Sequence, residues 1–148
     1  MANIQVNYQK SKILPLGSWN GPTYTLGMPI VSSVQILGIK FTANWGEMLE
    51  QNWTQKLNTI SYLLYEAKSL HFSLFQRIWY VHMYALCKLW YTATILPASS
   101  LITQKIEKLI GNFLRHGYMY RVARPQIRQP VNNGGLGLLH IDIKCKAL

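Results

Sequence analysis

Acidic residues are scarce in this chain. Five Asp or Glu stand against fifteen Lys or Arg, a formal net charge of +10 at pH 7. None precedes Glu47, and none falls between Glu107 and Asp142. Catalysis by paired carboxylates has little to draw on, because Glu47, Glu50, Glu66, Glu107 and Asp142 are scattered. Cysteine is rarer still. Cys87 and Cys145 make neither a metal-ligand spacing nor a disulfide framework, which fits a reducing, intracellular setting, nuclear or cytoplasmic. One is expected to be a buried thiol and the other incidental. His71, His82, His116 and His140 have no companions at ligand spacing, and His82 is expected to be a satisfied core histidine. The stretch "GGLG" lacks the lysine and following helix of a phosphate-binding loop. No catalytic residue, metal site or cofactor is expected.

Long apolar runs are also few. The amino terminus, "MANIQVNYQKSK", has no signal-like run. Between Ile78 and Gln104 only Lys88 carries a formal charge, close to the ~20 residues a membrane-spanning helix needs. Lys88 sits near the middle, where insertion costs about 2.5–3.5 kcal/mol, and Pro97 interrupts the run. A buried helix of a globular chain fits better than a membrane span.

What the chain has in quantity is hydrophobic and aromatic bulk, with 49% hydrophobic residues and five Trp, nine Tyr and four Phe. That is enough for a core in one domain of 148 residues. Residues 1–43 read as short strands separated by turns, from "NIQVNY" to "VSSVQILGIKFT". Asn44, with Glu47 three residues on, has the form of a capping box. Leu49, Trp53, Leu57, Ile60, Leu64 and Ala67 then mark one face of a helix. A second helix is expected over Ser73–Thr94, with Phe75, Ile78, Trp79, His82, Leu86, Leu89, Trp90 and Ala93 inward. A third starts at Ser99/Ser100, carries Ile102, Ile106, Leu109 and Phe113 inward, and stops at Gly117. Lys105, Lys108, Asn112 and Arg115 point elsewhere. The tail, "RPQIRQPVNNGGLGLLHI", reads as two short extended runs around a tight turn. The expected fold is therefore mainly α (α+β). It has a small β portion over 1–43, a three-helix bundle over 44–117, and a basic tail with a β-hairpin over 118–148.

The cation excess favours a polyanionic partner. Arg77, Tyr80, Tyr84, Lys88 and Tyr91 share one side of the second helix, interleaving charge for phosphates with rings for sugars and bases. The alternative is an ordinary boundary of half-buried tyrosines. Arg115, Arg121, Arg124 and Arg128 form a second patch with no acid nearby in sequence, suited to phosphate contact or to a merely solvated loop.

The order of "VNYQKSKILPLG", "VQILGIKF", "SLFQR", "FLRHG" and "QPVNNGGLGLLHI" resembles the distal reverse transcriptase of non-LTR retrotransposons. Asn7, Lys10 and Ser11 match its N-x-x-K-[ST] element, and Ser73, Leu74 and Arg77 match an S-L-x-x-R segment of its helical thumb. Ile36, Leu37, Gly38 and Ile39 match its primer grip apart from the first residue. Gly134 to Leu138 match its G-G-L-G-L element in full. Nothing matches the metal-binding aspartates or the Y-x-D-D hairpin. The resemblance implies a non-catalytic piece that holds an RNA–DNA template–primer, or RNA, without reading sequence. A polypeptide bearing the missing palm is a further candidate partner. Two rival readings stay open: a structural or protein-interaction remnant, and a membrane-associated protein using residues 78–97.

Overall fold

The computed structural model describes residues 6–17, 21, 24–25, 27–115 and 123–148, with the backbone alone at Tyr24, Thr25 and Arg124. The chain is mainly α with a small β portion. Two compact units, Met1–Asn52 and Trp53–Leu148, divide inside the first long helix.

The first unit holds two small antiparallel pairs. Strand β1 (Tyr24–Thr25) pairs with β2 (Met28–Pro29), and β3 (Ser33–Ile36) pairs with β4 (Ile39–Thr42). Residues 6–8 of the expected first strand belong to no strand; residues 7–11 form a turn, with Lys10 N and Ser11 N donating to Asn7 O. The Asn7 carboxamide also accepts from Lys10 N at 3.2 Å, and the Ser11 hydroxyl donates to Asn7 O at 2.8 Å. The N-x-x-K-[ST] spacing is thus that of a side-chain-stapled turn.

Leu37 and Gly38 close the β3–β4 hairpin at φ 48° and 80°. A two-residue loop with both φ values positive suits the right-handed twist of its strands, and Asn–Gly is the favoured pair. Leucine there crowds its Cβ against the backbone, at about 1–2 kcal/mol. Its side chain is 81% exposed, so packing returns little. Leu37→Asn is expected to raise stability by about 1 kcal/mol. A urea midpoint that stays put or falls would show that leucine is held there by contacts the hairpin does not display.

Helix α1 spans Trp45–Glu66. Asn44 accepts from Glu47 N at 3.3 Å, as a cap should, but the Glu47 carboxylate accepts from Gln51 Nε2 at 2.6 Å. Half of the capping box is therefore seen. On the next turn Asn52, 1% exposed, pairs with the backbone of β4. It accepts from Lys40 N (2.9 Å) and donates to Lys40 O and Met48 O (2.7 Å each). The carboxamide supplies the strand edge with a missing ladder partner and leaves no polar group of its own orphaned.

Of the expected stripe, α1 buries Trp53, Ile60 and Leu64 and leaves Leu49 and Leu57 half-buried; Ala67, just past its end, is buried as well. A short 3₁₀ turn, Ala67–Ser69, ends it. Ser73 then opens the next helix with a complete capping box: Gln76 N donates to its hydroxyl, and Ser73 N donates to the Gln76 carboxamide. That helix runs as α2 (Leu74–Tyr80), a π-helical stretch (Val81–Leu86) and α3 (Cys87–Ala93). Its length is as expected; of the expected inward residues Ile78, Leu86, Leu89 and Ala93 are buried and His82 and Trp90 half-buried, but Phe75 and Trp79 are not inward. Phe75 and Trp79 are 50% and 59% exposed, whereas Arg77, Ile78, Val81, Ala85, Leu86 and Leu89 are buried. At ~100° per residue Arg77, Ile78, Val81, Ala85, Leu86 and Leu89 still share one side of the helix, displaced from the expected face toward Arg77, Val81 and Ala85.

Helix α4 (Ser100–Arg115) is capped by Ser99, whose hydroxyl accepts from Ile102 N at 3.4 Å. It buries Ile106 and Phe113 as expected and Ile110 in addition, keeps Ile102 and Leu109 half-buried, and leaves Lys105, Lys108, Asn112 and Arg115 exposed. Gly117, its expected stop, lies outside the described residues.

The carboxy-terminal hairpin is not formed. Residues 124–148 fold as α5 (Arg124–Arg128), a 3₁₀ turn (Val131–Asn133) and α6 (Ile141–Lys146), with no strand. The reversal is present nonetheless. Gly134 ends the turn at φ 77°, and the chain then returns along α5 through Leu136 N to Gln126 O and Leu138 N to Ile127 O. Pro125, just inside α5, favours a helical start over a strand. Gly135 is buried where an added Cβ would meet Gln129 O at 2.0 Å, so the crossing tolerates no side chain.

Candidate nucleic-acid interface

Alpha-helical spacing places Gln104, Glu107, Lys108, Gly111, Asn112 and Arg115 on one face of α4, at offsets 0, 3, 4, 7, 8 and 11. The returning tail lies beside that face. Together they enclose a groove of 460 Å³, with Ile110, Ile127, Leu138 and Ile141 as apolar lining and Arg128 on the α5 side. The Arg128 guanidinium pairs with Glu107 at 2.8 Å. That corrects the expectation of an arginine patch free of acids. Glu107 lies 21 residues before Arg128, and only the fold brings them together. The Arg115 Nε–H donates to Gly111 O at 3.0 Å, which holds the exposed side chain along its own helix. Lys108, Arg115 and Arg128 thus share the groove with a single carboxylate, itself engaged by Arg128. Gln104 and Asn112 add amide donors at the rim.

Of the other expected contact residues, Arg121 and the side chain of Arg124 lie outside what is described. Arg77 is 5% exposed; it donates through Nε to Phe72 O (3.2 Å) and through Nη1 to Phe113 O (2.9 Å), with its guanidinium 5.6 Å from the Phe113 ring centroid. It is an interior strut and not a surface cation, because the last carbonyls of α4 need donors more than a solvated face needs charge. Tyr80 is half-buried, donates to Leu63 O at 3.3 Å, and stacks on Tyr84 with centroids 4.8 Å apart. Burial, then the neighbouring Tyr84, pushes its phenol pKa up, so it stays a neutral donor. Tyr84, Lys88 and Tyr91 remain exposed on one side of the helix. The five-residue stripe reduces to these three, with Tyr80 beneath Tyr84. The primer-grip-like residues form the hairpin itself: Ile36 and Leu37 are exposed, Gly38 turns, and Ile39 is fully buried.

His82 is half-buried within the π stretch, and its Nε2 has no partner among the described residues, nor does Thr92 Oγ1. Burial lowers the His82 pKa, which keeps the ring neutral near pH 7; it is not the satisfied core histidine expected. Neither thiol is fully buried: Cys87 is exposed and Cys145 half-buried, its pKa raised by burial and then by Asp142. Among the described residues no three His, Cys, Asp or Glu cluster as metal ligands, and no helix is long and apolar enough to cross a membrane.

Lys108, Gln104 and Asn112 were not singled out as contacts by the sequence. Their signal was present, since Lys108 and Asn112 fall on the polar side of their helix; what was missing was the tail that turns that side into a groove. No protein-family model matches the chain, and no curated protein matches it significantly.

Proposed function

We propose that this chain holds the backbone of an RNA–DNA template–primer, without reading its sequence, and does not itself extend it. The observation that carries the reading is the α4–tail groove, where Lys108, Arg115 and Arg128 converge against one carboxylate in a chain of net charge +10. Guanidinium and ammonium groups at a groove rim neutralise phosphates, and sequence-independent binding follows from that term alone. The order of motifs that resembles a non-LTR retrotransposon thumb supports the choice of hybrid as ligand. The exposed, strained Leu37 at the primer-grip-like turn supports it too, because backbone strain on an exposed tip is more often kept for contact than for folding.

Retention of an RNA–DNA hybrid measured against salt tests the reading. Each phosphate engaged contributes a slope of about −0.9 in log K against log salt, so Lys108 and Arg115, the two groove cations not paired with Glu107, give about −1.8. Neutralising Lys108 and Arg115 together (Lys108→Gln with Arg115→Gln) is expected to flatten the slope by about 2 and weaken binding about tenfold at low salt. Both side chains are exposed, so the fold should persist. A slope indifferent to these changes would remove the groove from the interface.

A second reading, a remnant whose first unit packs on a palm-bearing polypeptide, is favoured by a separate apolar groove of 520 Å³. Leu14, Leu16, Val34, Ile36, Phe41 and Trp45 line it, and Leu16, Ile36 and Trp45 are more than half exposed. Undetectable hybrid binding by a folded chain would favour that reading.

A further inference from the structure

The helix that failed to bury its expected aromatic side leaves a distinct surface in the second unit. Phe75, Trp79 and Met83 follow one another at i, i+4 and i+8, and Gln76, Tyr80 and Tyr84 form the adjacent row. Between them lies a groove of 420 Å³. Phe75, Trp79, Met83 and Tyr84 are each at least half exposed, which is costly for four large apolar side chains unless something covers them. The rings are already ordered: Phe75 and Trp79 centroids are 6.3 Å apart, and Tyr80 and Tyr84 are stacked at 25°.

We infer that this groove receives the unpaired bases of a single-stranded nucleic acid. The inference rests on the nucleic-acid reading above and narrows it to single-stranded segments. Charge selects the occupant. From Leu74 to Ala93 the helix carries no acid and one exposed cation, Lys88, which continues the tyrosine row one turn beyond Tyr84, while Glu66 at the end of α1 brings a carboxylate near Tyr80. A base lying on the rings therefore brings its phosphate toward an exposed ammonium group. A second copy of this chain would bring the same +10 charge and be repelled. Every base has a π face, so stacking on aromatic platforms tolerates any sequence. Within a duplex those faces are hidden, and the groove has nothing to grip. The Gln76 carboxamide, at the groove's wall, holds Ser73 N through its oxygen and offers its amide N–H donors to a base edge.

The test uses the full chain with two labelled probes, an oligouridylate of about 12 nucleotides and an RNA–DNA hybrid of the same length. Trp79→Ala is expected to weaken the single strand about tenfold and to change the hybrid by less than about twofold, while Trp79→Phe keeps most of the affinity. Far-UV circular dichroism confirms that each variant is folded. If Trp79→Ala leaves the single strand unaffected while the hybrid still binds, this inference is wrong and the α4 groove stands. Equal losses on both probes also overturn it. Absence of binding to either probe removes the broader reading and this one with it. If sedimentation shows the chain self-associating and Trp79→Ala dissociating it, the groove belongs to a second copy instead.

Discussion

Replacing Arg77 with alanine is expected to destabilise the second unit by about 3 kcal/mol, a factor of more than a hundred in its folding equilibrium. Among the described residues the guanidinium donates to two backbone carbonyls from separate segments. Phe113 O belongs to the last turn of α4, where carbonyls have no intrahelical donor, and Phe72 O lies in the link just ahead of α2. Hydrogen bonds from a charged donor contribute about 1.5–3 kcal/mol each, and their loss in a buried place leaves the acceptors orphaned. The stem adds packing and the Phe113 ring adds a cation–π contact. Lysine at the same position keeps the charge but cannot span both carbonyls with a rigid fork, so Arg77→Lys should lose about half as much. Urea unfolding followed by circular dichroism reads both values. The folded Arg77→Lys protein should bind RNA–DNA hybrid as the parent does, because the side chain is not on the surface. A variant that unfolds normally yet loses hybrid affinity would return Arg77 to the interface where its sequence position first put it.

Arg77 also shows which parts of this molecule can be read from residues in order and which cannot. Local signals served well: Asn44 and Ser99 each cap a helix through a side-chain oxygen as expected, and Ser73, expected only as a helix start, caps one too, because capping depends on the next three residues only. The stripes of α1 and α4 are followed in part: Trp53, Ile60, Leu64, Ile106 and Phe113 are buried as the period selects, whereas Leu49, Leu57, Ile102 and Leu109 are half-buried and Met48 and Ile110 are buried beside them. The middle helix departs because its inward side is turned toward Arg77, Val81 and Ala85, and the apolar stripe alone does not mark that turn. Its inward face then admits an arginine and excludes a phenylalanine and a tryptophan, against any ranking by hydrophobicity. The tail departs for a different reason. Asn132, Asn133 and the glycines do reverse the chain, but the arms they join are a proline-led helix and an irregular strand-like return. Glycine content reports that the backbone must turn and says little about what it joins. The candidate groove was half legible. Lys108 and Arg115 lay on a readable polar face, whereas the Glu107–Arg128 pair and the apolar lining depend on where the tail comes to rest.

The largest stability effect is expected at Trp53. This residue is 2% exposed on the inner side of α1, and its indole N–H donates to Pro97 O at 3.1 Å, 44 residues away. Pro97 lies in the link between α3 and α4, so one side chain both fills the interior and fixes the point where the chain turns from the second long helix into the third. Truncating a buried tryptophan to alanine costs about 3–5 kcal/mol, from lost transfer energy and from the cavity the neighbours fail to close. For a unit of this size about 4 kcal/mol corresponds to a drop of roughly 20 °C in Tm. Trp53→Phe separates the two contributions. It keeps most of the bulk and removes the donor, leaving the Pro97 carbonyl unpaired at about 1–3 kcal/mol. The alanine variant should therefore lose clearly more than the phenylalanine variant in calorimetry. Near-equal losses would mean that the hydrogen bond to the link dominates; a loss below about 1 kcal/mol for alanine would mean that Trp53 does not sit in a packed interior at all. Either outcome bears on the groove as well. Where α4 starts sets where its polar face meets the returning tail, and a start no longer fixed by Trp53 should weaken hybrid retention in step with stability.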